Sequence, residues 1–159
     1  MAMGVAALLG LAPAPAGAQA ELPLDVHARL FNGNASEVET FERCAVDNAL
    51  CALTLARWER ERDRPDLAAQ HLRRAVAIGN RYAPLALAFL HSDAGESVDA
   101  WAWAYLAWML DDPDGSLPEA ETRDLFSYRL LAMHQAALDA AGRARARARA
   151  NDLLAAHFE

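Results

Sequence analysis

The chain has no lysine, a single isoleucine at Ile78 and two cysteines, Cys44 and Cys51. All 15 basic residues are therefore arginine, and with the abundance of alanine this reads as the codon bias of a GC-rich bacterial genome, so arginine content alone implies no function. Positive charge is also outnumbered: 22 acidic side chains leave a formal net charge of −7, which argues against general nucleic-acid binding. His27, His71, His91, His134 and His157 never recur at i+3 or i+4, so no helical zinc pair exists. Ser116 and Ser127 lack a nucleophile-elbow glycine context. Asp111, Asp112, Asp114 and Gly115 lack the closing ligands of a calcium loop and read as an acidic turn. No cofactor or metal is expected, and the chain is not expected to be an enzyme.

Residues 1–20 carry no charge. An apolar stretch from Val5 to Leu11, then Pro13, Pro15 and Gly17, then Ala18-Gln19-Ala20, reads as a secretory signal peptide cleaved before Glu21. The leading Met1-Ala2-Met3-Gly4 lacks the usual cation, which leaves the translation start open. The run is shorter than the roughly 20 apolar residues of a comfortable membrane span, so no transmembrane span is expected in the mature form. With no cysteine at the cleavage site a lipid anchor is not indicated. The expected location is periplasmic or secreted. An even cysteine count in such a compartment favours a Cys44–Cys51 disulfide. Seven residues along an unbroken helix span about 10.5 Å, beyond the roughly 7 Å a bridge tolerates. A bridge thus requires a bend, for which Asp47-Asn48 is the natural place; two buried thiols on one helix face is the other open reading.

Residues 21–35 contain Pro23 and Asn32-Gly33-Asn34 and read as a tether ending in a turn. Beyond it, a phrase occurs twice: Ala68, His71, Ala75, Val76 and Gly79, then Ala100, Trp103, Ala107 and Trp108. Each copy has residues at i, i+3, i+7 and i+8, and an apolar helical stretch precedes each, marked by Ala49 with Leu53 and by Ala83 with Leu87. Internal repetition of this kind is the mark of a solenoid. The spacing predicts about seven helices and no strand: an all-α short solenoid of antiparallel hairpins over residues 36–159, with capping helices from residue 116.

Local signals set the expected boundaries. Ser36 with Glu39 forms a capping box for a helix to about Val46, and a second runs from about Asn48 to Arg60 with Leu50, Cys51, Leu55 and Trp58 on its apolar side. Glu59 to Arg64 reads as a solvated end. Pro65 opens the next helix and Gly79 closes it; Asn80 caps a helix whose inner face is Tyr82, Leu85, Ala86 and Phe89. Ser97 caps a helix that is uncharged from Ala100 to Leu110 and hence buried on all sides. Ser116 with Glu119 begins a long helix, and Gly142 divides it from a final one carrying Leu153, Leu154 and Phe158.

On these residues the chain resembles the Sel-one-like repeat family, a relative of the tetratricopeptide repeats. The second helix of that family's hairpin runs Ala, an aromatic at i+3, Ala-Ala at i+7 and i+8, and Gly at i+11, matched here by Ala68, Ala75 and Gly79 and by Ala100, Trp103 and Ala107. Asp66 and Asp99 stand where the family tends to place Asp, and the likeness covers residues 49–112. Ala88 and Thr54 stand at a helix glycine position, His91 and Arg57 replace a tyrosine, and His71 replaces an aromatic. The resemblance implies a scaffold or adaptor for other proteins, often in bacterial envelopes. Some cysteine-rich members pair cysteines across a hairpin at near this spacing, and β-lactamase-like activity is associated with that branch.

The candidate partner-binding residues are Trp101, Trp103, His71 and His91. The tryptophans of the central helix read as core or as a groove lining, but Trp103 lies about 200° around the helix from Trp101, so the two cannot share a face. Arg143, Arg145, Arg147 and Arg149 form a basic girdle on a helix, read as a solvated surface or a contact for an anionic partner. The expected partner is a protein or peptide of the cell envelope, with weak self-association as a secondary expectation. The alternatives are a cell-wall-related or β-lactamase-like enzyme and a structural assembly subunit.

Overall fold

The fold is described by a computed structural model, in which residues 32–158 are placed. Residues 1–20, read above as a leader, and residues 21–31 of the expected tether lie outside the described residues. Among the described residues every regular element is a helix: α1 (Ala35–Cys44), α2 (Ala49–Glu61), α3 (Pro65–Ala77), α4 (Ala83–Asp93), α5 (Ser97–Asp111), α6 (Glu119–Asp124), α7 (Phe126–Ala137) and α8 (Ala140–Phe158). Seven have ten residues or more and α6 has six, so the all-α expectation of about seven helices holds.

Three successive helices end in the same way. The chain turns left-handed at Asp63 (φ 57°), Gly79 (φ 90°) and Gly95 (φ 75°). At each, the following N–H bonds back five residues, from Arg64 to Glu59 O, from Asn80 to Ala75 O and from Glu96 to His91 O. This satisfies carbonyls that the helix end leaves open. Reversals of this kind fold α2 on α3 and α4 on α5, and α3 packs on α4, giving a short solenoid of helical hairpins. Alanines line the seams: Ala52, Ala68, Ala75, Ala83, Ala88, Ala102 and Ala104 are buried, and their size lets the backbones approach closely around Leu55, Leu87 and Leu106. Helix α5 is the centre, as its lack of charge predicts, because α4, α7 and α8 all pack on it. The last two helices are not a further stacked hairpin; both close chiefly on α5 rather than on each other.

The Cys44–Cys51 disulfide is formed, with the Cα atoms 5.8 Å apart. The bend it needs is the turn between α1 and α2, where Asn48 Oδ1 accepts from the Leu50 N–H at 2.9 Å and starts α2.

Several local expectations are corrected. The cap of α1 is Asn34, not Ser36: its Oδ1 accepts from the Glu37 N–H at 3.0 Å, and Glu37 accepts in turn from the Asn32 N–H at 2.8 Å. Gly33 makes this possible, turning left-handed (φ 71°) where a Cβ would collide with Trp58 Nε1. Glu59 is not solvated; it is 6% exposed and ion-paired with Arg64 at 2.6 Å. The stripe Tyr82, Leu85, Ala86 and Phe89 is the outer side of α4, with Tyr82 52% and Phe89 38% exposed. The close seam selects Ala83, Leu87 and Ala88 instead, because a helix apolar nearly all round presents its smaller residues where backbones meet.

The helix-start signals were overruled in the same way. Glu96, not Ser97, stands at the N-cap of α5 without a side-chain cap bond, because its carboxylate is held by His91. No helix starts at Ser116, since Leu117 precedes Pro118 and is pushed away from helical geometry; α6 begins after the proline. The long helix is broken at Leu125 (ψ 132°), where α7 begins. Gly142 lies inside α8: Asp139 Oδ1 accepts from its N–H at 2.6 Å, so the division falls at Leu138-Asp139.

Candidate functional site

The aromatic residues of α5 separate by face. Trp101 stacks on Tyr105 at 5.3 Å, Tyr105 meets Trp108 edge-on at 5.7 Å, and Trp108 meets Tyr128 of α7 at 6.3 Å. This ladder glues α5 to α7 and holds Trp101 in the core. Trp103, 3% exposed, lies on another side and forms part of the floor of a groove between the C-terminal end of α3, α5 and α8.

That groove encloses about 430 Å³ and is lined by Arg73, Val76 and Ile78 at the α3 end, Trp103 and Leu106 on α5, and Arg149, Leu153, Ala156 and His157 on α8. Its volume is within the range of about 300–1,000 Å³ typical of ligand pockets. Each helix presents its part for a local reason. Gly79 stops α3 so that Val76 and Ile78 stand at an open edge. On α8, Gly142, Ala146 and Ala150 are buried at i, i+4 and i+8, a small-residue seam that lets α8 lie close on α5. The arginines of the girdle are what the seam leaves outside: Arg143, Arg145 and Arg147 are exposed, while Arg149 turns to the groove and pairs with Asp99 of α5 at 3.3 Å. Among the described residues no carboxylate lines the groove.

Of the four candidate binding residues the groove gathers only Trp103. His71 is half-buried on α3, about 200° around the helix from Arg73. Burial holds its imidazole below the ordinary histidine value, reinforced by Arg74 and opposed by Glu42. His91 is buried and its Nδ1 meets Glu96 Oε2 at 2.5 Å, which ties the α4 end to the α5 start. Its role here is to close a turn.

Two further polar ties hold the centre. Ser127 Oγ donates to Asp111 Oδ2 at 3.0 Å, and Asp111 also pairs with Arg81 at 3.6 Å. His134 Nε2 meets Ser92 Oγ at 2.9 Å, joining α7 to α4, and burial lowers its affinity for a proton. Asp112 and Asp114 accept from the N–H groups of Leu117 and Ser116, both at 3.3 Å, so the acidic segment is a turn. Among the described residues no three His, Cys, Asp or Glu side chains converge in a way that would hold a metal ion.

Sequence reasoning missed Arg73, Ile78, Leu106, Arg149, Leu153 and His157. Only two hints pointed to them: the Gly79 stop, which opens the α3 end, and the pairing of Arg145 with Arg149 on one side of α8. A second, smaller groove of about 220 Å³ lies between α2, α3 and α4, lined by Leu53, Arg57, Arg60, Leu72, Tyr82 and Leu90. Comparison of the chain with family models, with curated proteins and with solved structures gave no match.

Proposed function

We propose that the protein is an exported helical-repeat scaffold that holds a protein or peptide of the cell envelope in the α3/α5/α8 groove. The observation that carries this reading is the combination, among the described residues, of an apolar floor, two arginines and no lining carboxylate in a cleft of about 430 Å³. Such a site anchors a large side chain while polar groups at its edge fix orientation. The resemblance to the Sel-one-like repeats supports the same class, since that family's members hold other proteins. The Cys44–Cys51 disulfide fits an oxidising compartment. No helix among the described residues is long and apolar enough to cross a membrane. Together with the leader reading of residues 1–20, these observations support a periplasmic or secreted location. N-terminal sequencing of the native protein is expected to begin at Glu21; an intact leader in the cytoplasmic fraction contradicts export.

Selection from a random peptide library on the purified protein tests the binding reading. Selected peptides are expected to lose binding to Ala156→Trp, which fills the groove, and to keep it with Ala148→Trp, which is exposed and not among the groove-lining residues. Failure to select any peptide, or equal binding by both variants, contradicts it. A second reading, an assembly subunit, is favoured by Phe126 and Met133, 67% and 52% exposed at i and i+7 on α7. Sedimentation at rising concentration is expected to give a dimer that Met133→Glu abolishes; a monomer throughout contradicts this reading. The β-lactamase-like alternative rests on the family likeness alone.

A further inference from the structure

We propose that the α3/α5/α8 groove takes the C-terminal residue of its partner polypeptide, with an apolar side chain on the floor and the α-carboxylate between Arg73 and Arg149. This deepens the peptide-binding reading above and rests on it.

The floor is formed by Val76, Trp103, Leu106 and Leu153, and the cations reach it from different walls, Arg73 from α3 and Arg149 from α8. Arg73 makes no ion pair with any described side chain. Arg149 has Asp99 at 3.3 Å, a pair roughly two-fifths exposed on both sides and therefore weakened by solvent. With no carboxylate among the described residues that line the groove, a carboxylate from outside supplies the complement, and guanidinium groups bind it in a geometrically specific, charge-assisted way.

The occupant is further narrowed by the rest of the molecule. The protein carries a formal charge of −7, so its field opposes a strongly acidic segment or a polyanion. A single carboxylate delivered on an apolar residue meets the local cations with the least long-range repulsion. Three helices contribute to the groove, so the apolar floor and the two cations come from separate walls around one site. A terminal residue also carries its carboxylate directly beside its side chain, the juxtaposition that an apolar floor under a cationic wall can read.

Isothermal titration of the intact, disulfide-bonded protein tests this with N-acetylated hexapeptides ending in Leu, Ile or Phe, the same peptides as C-terminal amides, and decanoate. The free acids are expected to bind at least about tenfold more tightly than the amides, a margin of about 1.4 kcal/mol. Arg73→Gln, a change at an exposed side chain, is expected to weaken the acids about tenfold and leave the amides unchanged, with an unaltered melting temperature. Equal affinity for acids and amides overturns the terminal-carboxylate pocket while leaving the groove reading standing. Saturable binding of decanoate with none of the peptides overturns the polypeptide occupant. Absence of binding by any probe at millimolar concentration overturns both.

Discussion

Asp63 occupies a left-handed position that Gly79 and Gly95 fill at the two equivalent helix ends. An L side chain is strained there, so Asp63→Gly is expected to stabilise the protein by about 0.5–1 kcal/mol and Asp63→Val to destabilise it by at least as much. Urea denaturation at constant slope reads the difference, and a destabilising glycine contradicts the account. Histidine titration gives a second test at this scale. His71 and His134 have proton affinities lowered by burial from a reference value of 6.5. Their unfolded forms bind protons more readily, so stability is full above that value and falls as pH drops through it towards the lower folded values. The urea midpoint of the wild type is expected to fall between about pH 7.5 and 5.5, and His134→Asn to flatten that fall. A midpoint that rises on acidification would show the sign to be wrong.

Element starts and stops show how far sequence signals reach. Gly79 and Pro65 read correctly because each acts through its own backbone, by a left-handed φ and a missing donor; Asn80 acts two residues before the N-cap of α4, which is Tyr82, its Oδ1 accepting from the Tyr82 and Ala83 N–H groups at 3.0 Å. Ser36, Ser97 and Ser116 misled because a neighbour held the stronger position, respectively Asn34, the His91-bound Glu96 and Pro118. The face of α4 was illegible for a different reason, since its composition is apolar on nearly every side and only tertiary contact decides which stripe is covered. The alternating arginines of α8 drew attention to charge, whereas the structural content lies in the buried Gly142, Ala146 and Ala150 between them. Overpacking that seam with Ala146→Leu is expected to cost about 1–3 kcal/mol, and Arg145→Ala to stay within about 0.5 kcal/mol. Thermal unfolding of the two variants separates the readings, and equal losses would show that α8 is not seated on α5 as described.

For the whole molecule, the repeated alanine spacing was enough to give the helical class and the hairpins, and the uncharged run from Ala100 to Leu110 gave the central place of α5. It was not enough to give the groove, because Arg73, Trp103 and Leu153 come from three helices and no local pattern relates them. The geometric exclusion of Trp101 from the face of Trp103 held, and His71 and His91 stand on faces other than that of the groove. The disulfide closes a short loop at the start of the solenoid, with a sequence separation of 7. Chain-entropy arguments give about 2–3 kcal/mol for it, so Cys44→Ser with Cys51→Ser is expected to lower stability by that order without opening the groove on α5 and α8.

The most direct test of the account is an NMR titration of the labelled protein with the free-acid hexapeptides, read at methyl and indole signals. Perturbation concentrated at Val76, Ile78, Trp103, Leu106 and Leu153 is the predicted result. Perturbation centred instead on Leu53, Leu72 and Leu90 in the smaller groove, or on the exposed Phe126 and Met133 of α7, would contradict it.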